Sequence, residues 1–294
     1  MNDIFFAAAA FVVGASIGSF LNVCIARWPA EQSVIKPRSR CPGCETPIAW
    51  YDNIPIVSWL LLRARCRACG ISISAQYPAV ELLVALGWLA TVLAFGPTFT
   101  ALRVAVFGTV MLGIAVTDLK HYLIPDGFTV FGFIFVLATS ILAFVIGDIS
   151  SFADPWGALI GACTGAGAIA IVGWLGEAML KREAMGFGDV TLMAVVGGAV
   201  GPTRALLVIF VGAALGAATF LLVVMPVSRF RRTAVAAPAV EVEGEATSDG
   251  AGGRSDMPNV PFGVFLAPAA VLMLLLGDRL VAWYFGRMGA GGPQ

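Results

Sequence analysis

An all-α integral membrane protein of about eight transmembrane helices, with a polar loop domain inserted between helices 1 and 2, is predicted by three observations. Of 294 residues, 59% are apolar and only 12% charged, against about 45–50% and about 25% in an average soluble domain. Apolar runs approaching the roughly 20 residues needed to cross a hydrocarbon core recur along nearly the whole chain. The long polar interruption at 26–77 holds four of the six cysteines as two CxxC pairs. Eighteen basic and eighteen acidic residues cancel, so no nucleic-acid partner is expected from overall charge. The single histidine, His121, excludes an HExxH zinc site and leaves a serine triad only one base. Carboxylates are the better candidates for chemistry.

The first span, 4–25, could pass for a secretory signal. Asp3 stands where a basic region belongs, however, and 22–27 offers no small-residue cleavage site, so a retained helix is expected. The loop at 26–77 carries seven basic against three acidic residues, which places it on the cytoplasmic side. Further spans are expected at 78–96, 99–117, 128–147, 156–179, 190–201, 204–226 and 262–284. The sixth is short and glycine-rich; it either extends back through Asp189 or stays partly re-entrant. Counting crossings puts Lys120, Lys181-Arg182 and Arg229-Arg231-Arg232 on the cytoplasmic side as well, while the outer loops hold Asp148, Asp154 and Arg204 without a basic cluster. A core of spans over 78–228 is thus followed by 229–261, whose stretch 233–259 is rich in Ala, Pro, Gly and acid and reads as a disordered cytoplasmic linker. The last span and a tail fill 262–294. No internal repeat of fixed period is evident.

Asp118 closes the third span and Asp189 opens the sixth, with two spans between them. An even number of crossings returns the chain to its starting side, so both carboxylates lie at one membrane face. An acid at the centre of a membrane helix costs about 2.5–3.5 kcal/mol, less near the boundary, and such residues call first for a functional reading. Two acids held close cannot both ionise; one keeps its proton while the other accepts one from water, which furnishes a general acid and a general base in a single site. The structural alternative is that each caps a helix, a role that Asp189 would suit. Gly186 and Gly188 in Gly186-Phe187-Gly188-Asp189 lack a Cβ and would let a substrate strand approach the backbone; packing between helices through small residues is the plainer reading. Asp126, after Ile124-Pro125, reads as a helix start, which favours Asp118 as the partner of Asp189. Glu81 and Glu177 read as boundary residues, although Glu81 could face the site.

Cys41, Cys44, Cys66 and Cys69 have the spacing of a tetrahedral zinc site, in which four thiolates fill the coordination shell and make the metal structural. Two disulfides are the alternative, disfavoured in a reducing cytoplasm. Cys24 and Cys163 read as small apolar residues within spans.

Together these residues resemble the bacterial type IV prepilin peptidases, a family of GxGD-type membrane aspartic proteases also called leader peptidases with N-methyltransferase activity. The resemblance rests on Gly18-Ser19-Phe20-Leu21-Asn22-Val23 with Arg27 and Pro29, the paired cysteines, Asn53-Ile54-Pro55 with Ser58-Trp59-Leu60, and Tyr77-Pro78 with Glu81. It continues through Asp118 to Pro125-Asp126, Gly186-Phe187-Gly188-Asp189 and Pro261-Phe262-Gly263. It implies a multi-pass enzyme of the bacterial inner membrane, surrounded by lipid, that cleaves the basic leaders of prepilins and pseudopilins at the cytoplasmic face with Asp118 and Asp189 as catalytic aspartates. Members with the cysteine loop commonly also methylate the new N-terminus with S-adenosylmethionine. No glycine-rich strand–turn–helix marks a methyl-donor domain, so a donor site would be built from the loop and the spans. Thr191 stands where the family often has lysine, Ala64 and Val264 where glycine and proline are common, and the linker is longer than usual. A peptidase without methylation, an ion-coupled carrier and a scaffold docking partners through the zinc loop are the competing readings.

Overall fold

A computed structural model describes residues 2–148, 150–181, 185–225 and 261–289. The expected linker at 229–261 and the C-terminal tail lie almost wholly outside them, as do Arg182, Arg229, Arg231 and Arg232. Among the described residues there are nine α-helices and no strand: α1 Asn2–Arg27, α2 Val57–Leu61, α3 Gln76–Phe95, α4 Phe99–His121, α5 Asp126–Ile146, α6 Pro155–Leu180, α7 Phe187–Val200, α8 Pro202–Thr219 and α9 Gly263–Gly289. Seven are long and apolar enough to cross a membrane. Helix α7, the expected short sixth span, has 14 residues and rises about 21 Å, less than the ~30 Å of a hydrocarbon core.

Local chemistry sets most boundaries. Thr98 caps α4 by accepting the Ala101 amide at 3.2 Å, and Asp154 caps α6 by accepting the Gly157 amide at 3.3 Å ahead of Pro155. Gly147 ends α5 in the left-handed region, and Gly201, at φ 84°, turns the chain sharply from α7 into Pro202 of α8. Helix α4 runs four residues past the expected end of its span, so Asp118 lies inside its last turn.

Side-chain size decides which helices touch. A Cβ on Gly161 of α6 would overlap the Gly197 carbonyl of α7, and one on Gly197 would overlap the Gly161 carbonyl, so these backbones meet directly. At Gly14 and Gly18, α1 lies in the same way against Ala85, Trp88 and Glu81 of α3. Leu192, Met193, Val195 and Val196 of α7 are fully enclosed, joined in one core with Phe107, Met111 and Ile114 of α4 and Leu266 and Ala270 of α9. The short α7 is therefore sheathed by longer helices, and its N-terminal turn is held beside the ends of α4 and α9.

Candidate active site and metal centre

Asp118 is 5% exposed and belongs to a helix that continues only to His121, where Tyr122 in the left-handed region returns its amide to the Asp118 carbonyl at 2.9 Å. Its carboxylate accepts the backbone N–H of Val264 at 3.2 Å, from the first turn of α9. A carboxylate at a helix N-terminus meets unsatisfied amides and the positive end of the helix dipole. Gly263 makes the approach possible, because a Cβ there would sit 2.8 Å from Asp118 Oδ2 and 3.1 Å from Ile124 Cδ1.

Asp189 lies in the first turn of α7 and is half-buried. Its side chain turns back on the start of its own helix and accepts the backbone N–H of the N-cap residue Gly186, whose carbonyl in turn accepts the Asp189 amide at 3.1 Å, so the cap role is present alongside the meeting with Asp118. Asp189 is near enough to Asp118 for the two charges to interact. Ile124 forms the shared wall, since Gly188 abuts its Cβ from the α7 side while Gly263 abuts its Cδ1 from the α9 side. The two aspartates reached by counting crossings are thus brought together, in water-accessible surroundings on the Asp189 side.

The glycines divide. Gly188 serves packing, with a Cβ position only 3.0 Å from Ile124 Cβ, whereas Gly186 is exposed and the nearest atom to its Cβ position is Asp189 Oδ2 at 3.9 Å. Asp126 opens α5 and is exposed, as befits a helix start. Thr191 donates to the Gly188 carbonyl at 3.0 Å inside its own helix. Glu177 is exposed. Glu81 lies near the start of α3, at the boundary with the cysteine loop, but it is buried: it is 8% exposed, and its Oε2 accepts the Ile56 amide of that loop at 2.7 Å. Cys24 is buried in α1 and Cys163 exposed on α6.

In the loop, each CxxC pair sits on the same backbone knuckle. Glu45 donates to the Cys41 carbonyl and Cys41 to the Thr46 carbonyl; 25 positions later Gly70 donates to Cys66 and Cys66 to Ile71 in the same pattern. Isolated antiparallel bridges, Arg40 with Pro47 and Arg65 with Ser72, close both turns. This is a short two-copy repeat of backbone hydrogen bonds, 25 positions apart. It points four sulfurs inward, all within 4.8 Å of one another, with Cys41 and Cys69 at 3.7 Å. Zinc at 2.3 Å from four tetrahedral sulfurs would space them by about 3.8 Å, so the donor set fits that ion in number, softness and size.

Thiol acidity is divided in a way that favours a cation. The Thr46 hydroxyl and amide beside Cys44 lower its pKa to about 6, and the amides of Cys69 and Ala68 lower that of Cys66. Although the Ile71 amide favours the Cys69 thiolate, desolvation and its three sulfur neighbours push that thiol up to about 12. Four adjacent thiolates repel one another, and a divalent ion at their centre removes the conflict. The second knuckle is tied to the 50–53 turn by Arg67, which donates to Asp52 Oδ2 at 2.8 Å and Oδ1 at 2.6 Å.

The family model described as "Bacterial Peptidase A24 N-terminal domain" matches residues 12–95, which take in most of α1, both knuckles and all of α3. That of the "Type IV leader peptidase family" matches residues 105–221, which include both aspartates. The chain is 45% identical over 192 residues to a prepilin leader peptidase/N-methyltransferase of Myxococcus xanthus, a match spanning 65% of this chain and 55% of that protein. It is 32% identical over 312 residues to the protein of the same name from Stutzerimonas stutzeri, covering 96% and 95% of the two chains. It is 29% identical over 279 residues to the one from Bacillus subtilis, covering 93% and 96%. No solved structure matches. On these matches, and with its multi-pass helical architecture, the chain belongs to the type IV leader peptidase family.

Proposed function

We propose that this protein is a membrane aspartic endopeptidase that cleaves the basic leader from prepilin and pseudopilin precursors at the cytoplasmic face of the bacterial inner membrane, and then methylates the new N-terminal amine. The observation that carries the proposal is the meeting of Asp118 and Asp189 around Ile124 at one end of the helical bundle.

Two carboxyl groups in such proximity hold one proton between them. The ionised partner takes a proton from a water molecule as its oxygen attacks the scissile carbonyl carbon, and the protonated partner hydrogen-bonds the developing oxyanion. When the C–N bond breaks, the proton passes to the leaving nitrogen and the pair returns to its singly protonated state. The burial of Asp118 beneath α9 and the half-exposure of Asp189 support a division in which α9 fixes one acid while the other faces the incoming water. The open face at Gly186 is where an extended substrate backbone would pass.

Cys41, Cys44, Cys66 and Cys69 would hold one structural zinc ion, with no position left for substrate. S-adenosylmethionine supplies the methyl group as an activated sulfonium.

The decisive experiment co-expresses a pilin precursor with Asp118→Asn or Asp189→Asn. Each variant should remain in the membrane and leave the precursor uncleaved. Normal processing by either one overturns the assignment. Mass spectrometry of the first residue of the mature pilin reads methylation in the same material.

A further inference from the structure

The geometry points to the cleft between the C-terminal half of α1 and the cysteine loop as the site where S-adenosylmethionine binds, an inference that rests on the methylation half of the function proposed above. The cleft encloses about 370 Å³, within the roughly 300–1,000 Å³ of small-molecule sites. Its walls mix apolar surface with hydroxyls and amides: Ser19, Phe20, Ile35, Ser39 and Asn53 among them, with Arg38 at the edge. That combination suits a nucleoside bearing an amino-acid tail, with apolar surface for a base, hydroxyl and amide groups for a ribose, and a guanidinium for a carboxylate.

Arg38 is exposed and makes no hydrogen bond or ion pair among the described residues. Its neighbour in the cleft, Arg27, is already committed, donating to the Ser33 carbonyl at 2.9 Å and the Pro37 carbonyl at 2.8 Å, so it braces the wall while Arg38 remains available to a ligand.

The cleft is held from behind. Glu81, buried in α3, accepts the Ile56 amide at 2.7 Å and hydrogen-bonds Ser19, joining the loop wall to the α1 wall through one carboxylate. Ile56 is held at φ 63°, a region that a β-branched residue enters only when its surroundings impose it, and such outliers gather at ligand sites. Gly18 lets Glu81 come this near, because a Cβ there would lie 2.7 Å from the Glu81 Cα. Glu81 is thus a positioning residue for the cleft.

Position completes the case. Beyond Arg27, the Trp28 ring meets Phe128 edge-on at 4.4 Å between centroids and covers Gly127. Phe128 follows four residues after Ile124, the shared wall of the two aspartates. The cleft therefore opens on the face where cleavage would free the α-amine, and no crossing of the membrane separates the two steps.

The test measures binding of S-adenosylhomocysteine to the full chain in zwitterionic nanodiscs by calorimetry, with photolabelling by radiolabelled S-adenosylmethionine to map the contact. Arg38→Glu should weaken binding by about 10- to 100-fold, the worth of a charge-assisted hydrogen bond. Ser39→Trp, which fills the cleft, should abolish it. Asp189→Asn should bind like the parent protein. Zinc content and melting temperature verify that the variants are folded. Label incorporated in 16–23 or 34–39 supports the site. Unchanged affinity in both cleft variants, or label confined elsewhere, overturns it while methylation stands. A parent protein that cleaves precursor but neither binds the probe nor methylates the product removes the methylation reading itself. Displacement of the probe by anionic phospholipid in otherwise identical nanodiscs assigns the cleft to a lipid headgroup and also overturns the proposal.

Discussion

The backbone amide of Val264 donates to Asp118 Oδ2 at 3.2 Å, although 146 positions separate the two residues. The last helix thereby aims its amide-rich N-terminus at a buried acid, and Gly263 is the residue that clears the way. Gly263→Ala would place a methyl group 2.8 Å from that oxygen, so either the carboxylate or the α9 turn must shift. A misplacement near 1 Å in a catalytic group can cost about 100-fold in rate. Cleavage kinetics on a purified precursor should show kcat reduced by roughly 10- to 100-fold, with KM little changed. An alanine variant with the parent kcat would show that α9 does not position Asp118.

The two glycines before Asp189 should separate experimentally. Gly188→Val drives side-chain atoms into Ile124, an overpacking that costs about 1–3 kcal/mol and lowers the melting temperature in detergent. Gly186→Val meets nothing nearer than 3.9 Å at its Cβ, so its melting temperature should match the parent's while kcat/KM for precursor falls. Equal kinetics in Gly186→Val and the parent would remove Gly186 from the substrate path.

What was legible in the amino-acid sequence follows from how local each signal is. Parity of crossings needs only a count of apolar runs, so it put Asp118 and Asp189 on one face without any knowledge of packing. Asp126 was legible because Pro-Asp at a helix start is a one-turn motif. The α9 contact to Asp118 was not, since its register depends on how Leu266 and Ala270 seat in the core, far along the chain. The partner of Glu81 was not legible for a related reason: an acid near a span boundary reads alike whether water or a loop amide satisfies it. The paired knuckles are not legible as a sequence repeat because their likeness is in backbone hydrogen bonds, and beyond arginine and cysteine few side chains recur between 40–48 and 65–73.

The loop between α1 and α3 has too little apolar interior to fold on burial alone, so its order should depend on metal. Purified protein should contain about one zinc per chain, the capacity of one four-thiolate site. Cys41→Ser, which removes the buried ligand, should reduce this several-fold, and a strong chelator should expose the loop to protease while the helical signal of the spans persists. Negligible zinc in the unmodified protein, or an equally protected loop after chelation, would count against a structural ion.

Two arginines make opposite predictions about stability. Arg67 is 61% exposed in its bidentate pair with Asp52, and such surface pairs are worth about 0–1 kcal/mol, so Arg67→Ala should scarcely move the melting temperature. Arg103, near the start of α4, is 1% exposed; it donates to Ser150 at 2.8 Å and Ser140 at 3.1 Å and lies 4.1 Å over the Phe152 ring. Truncation to alanine leaves those hydroxyls without their donor and opens a void against the ring. Each unsatisfied buried group costs about 1–3 kcal/mol, so a drop of several degrees in thermal denaturation is expected. Fifteen helical positions, or about 22 Å, separate Arg103 from Asp118, and cleavage measured below the new transition should therefore proceed at the parent rate. A loss of kcat without loss of stability would mean that the far end of α4 communicates with the aspartates, and Arg103 would then need a different explanation.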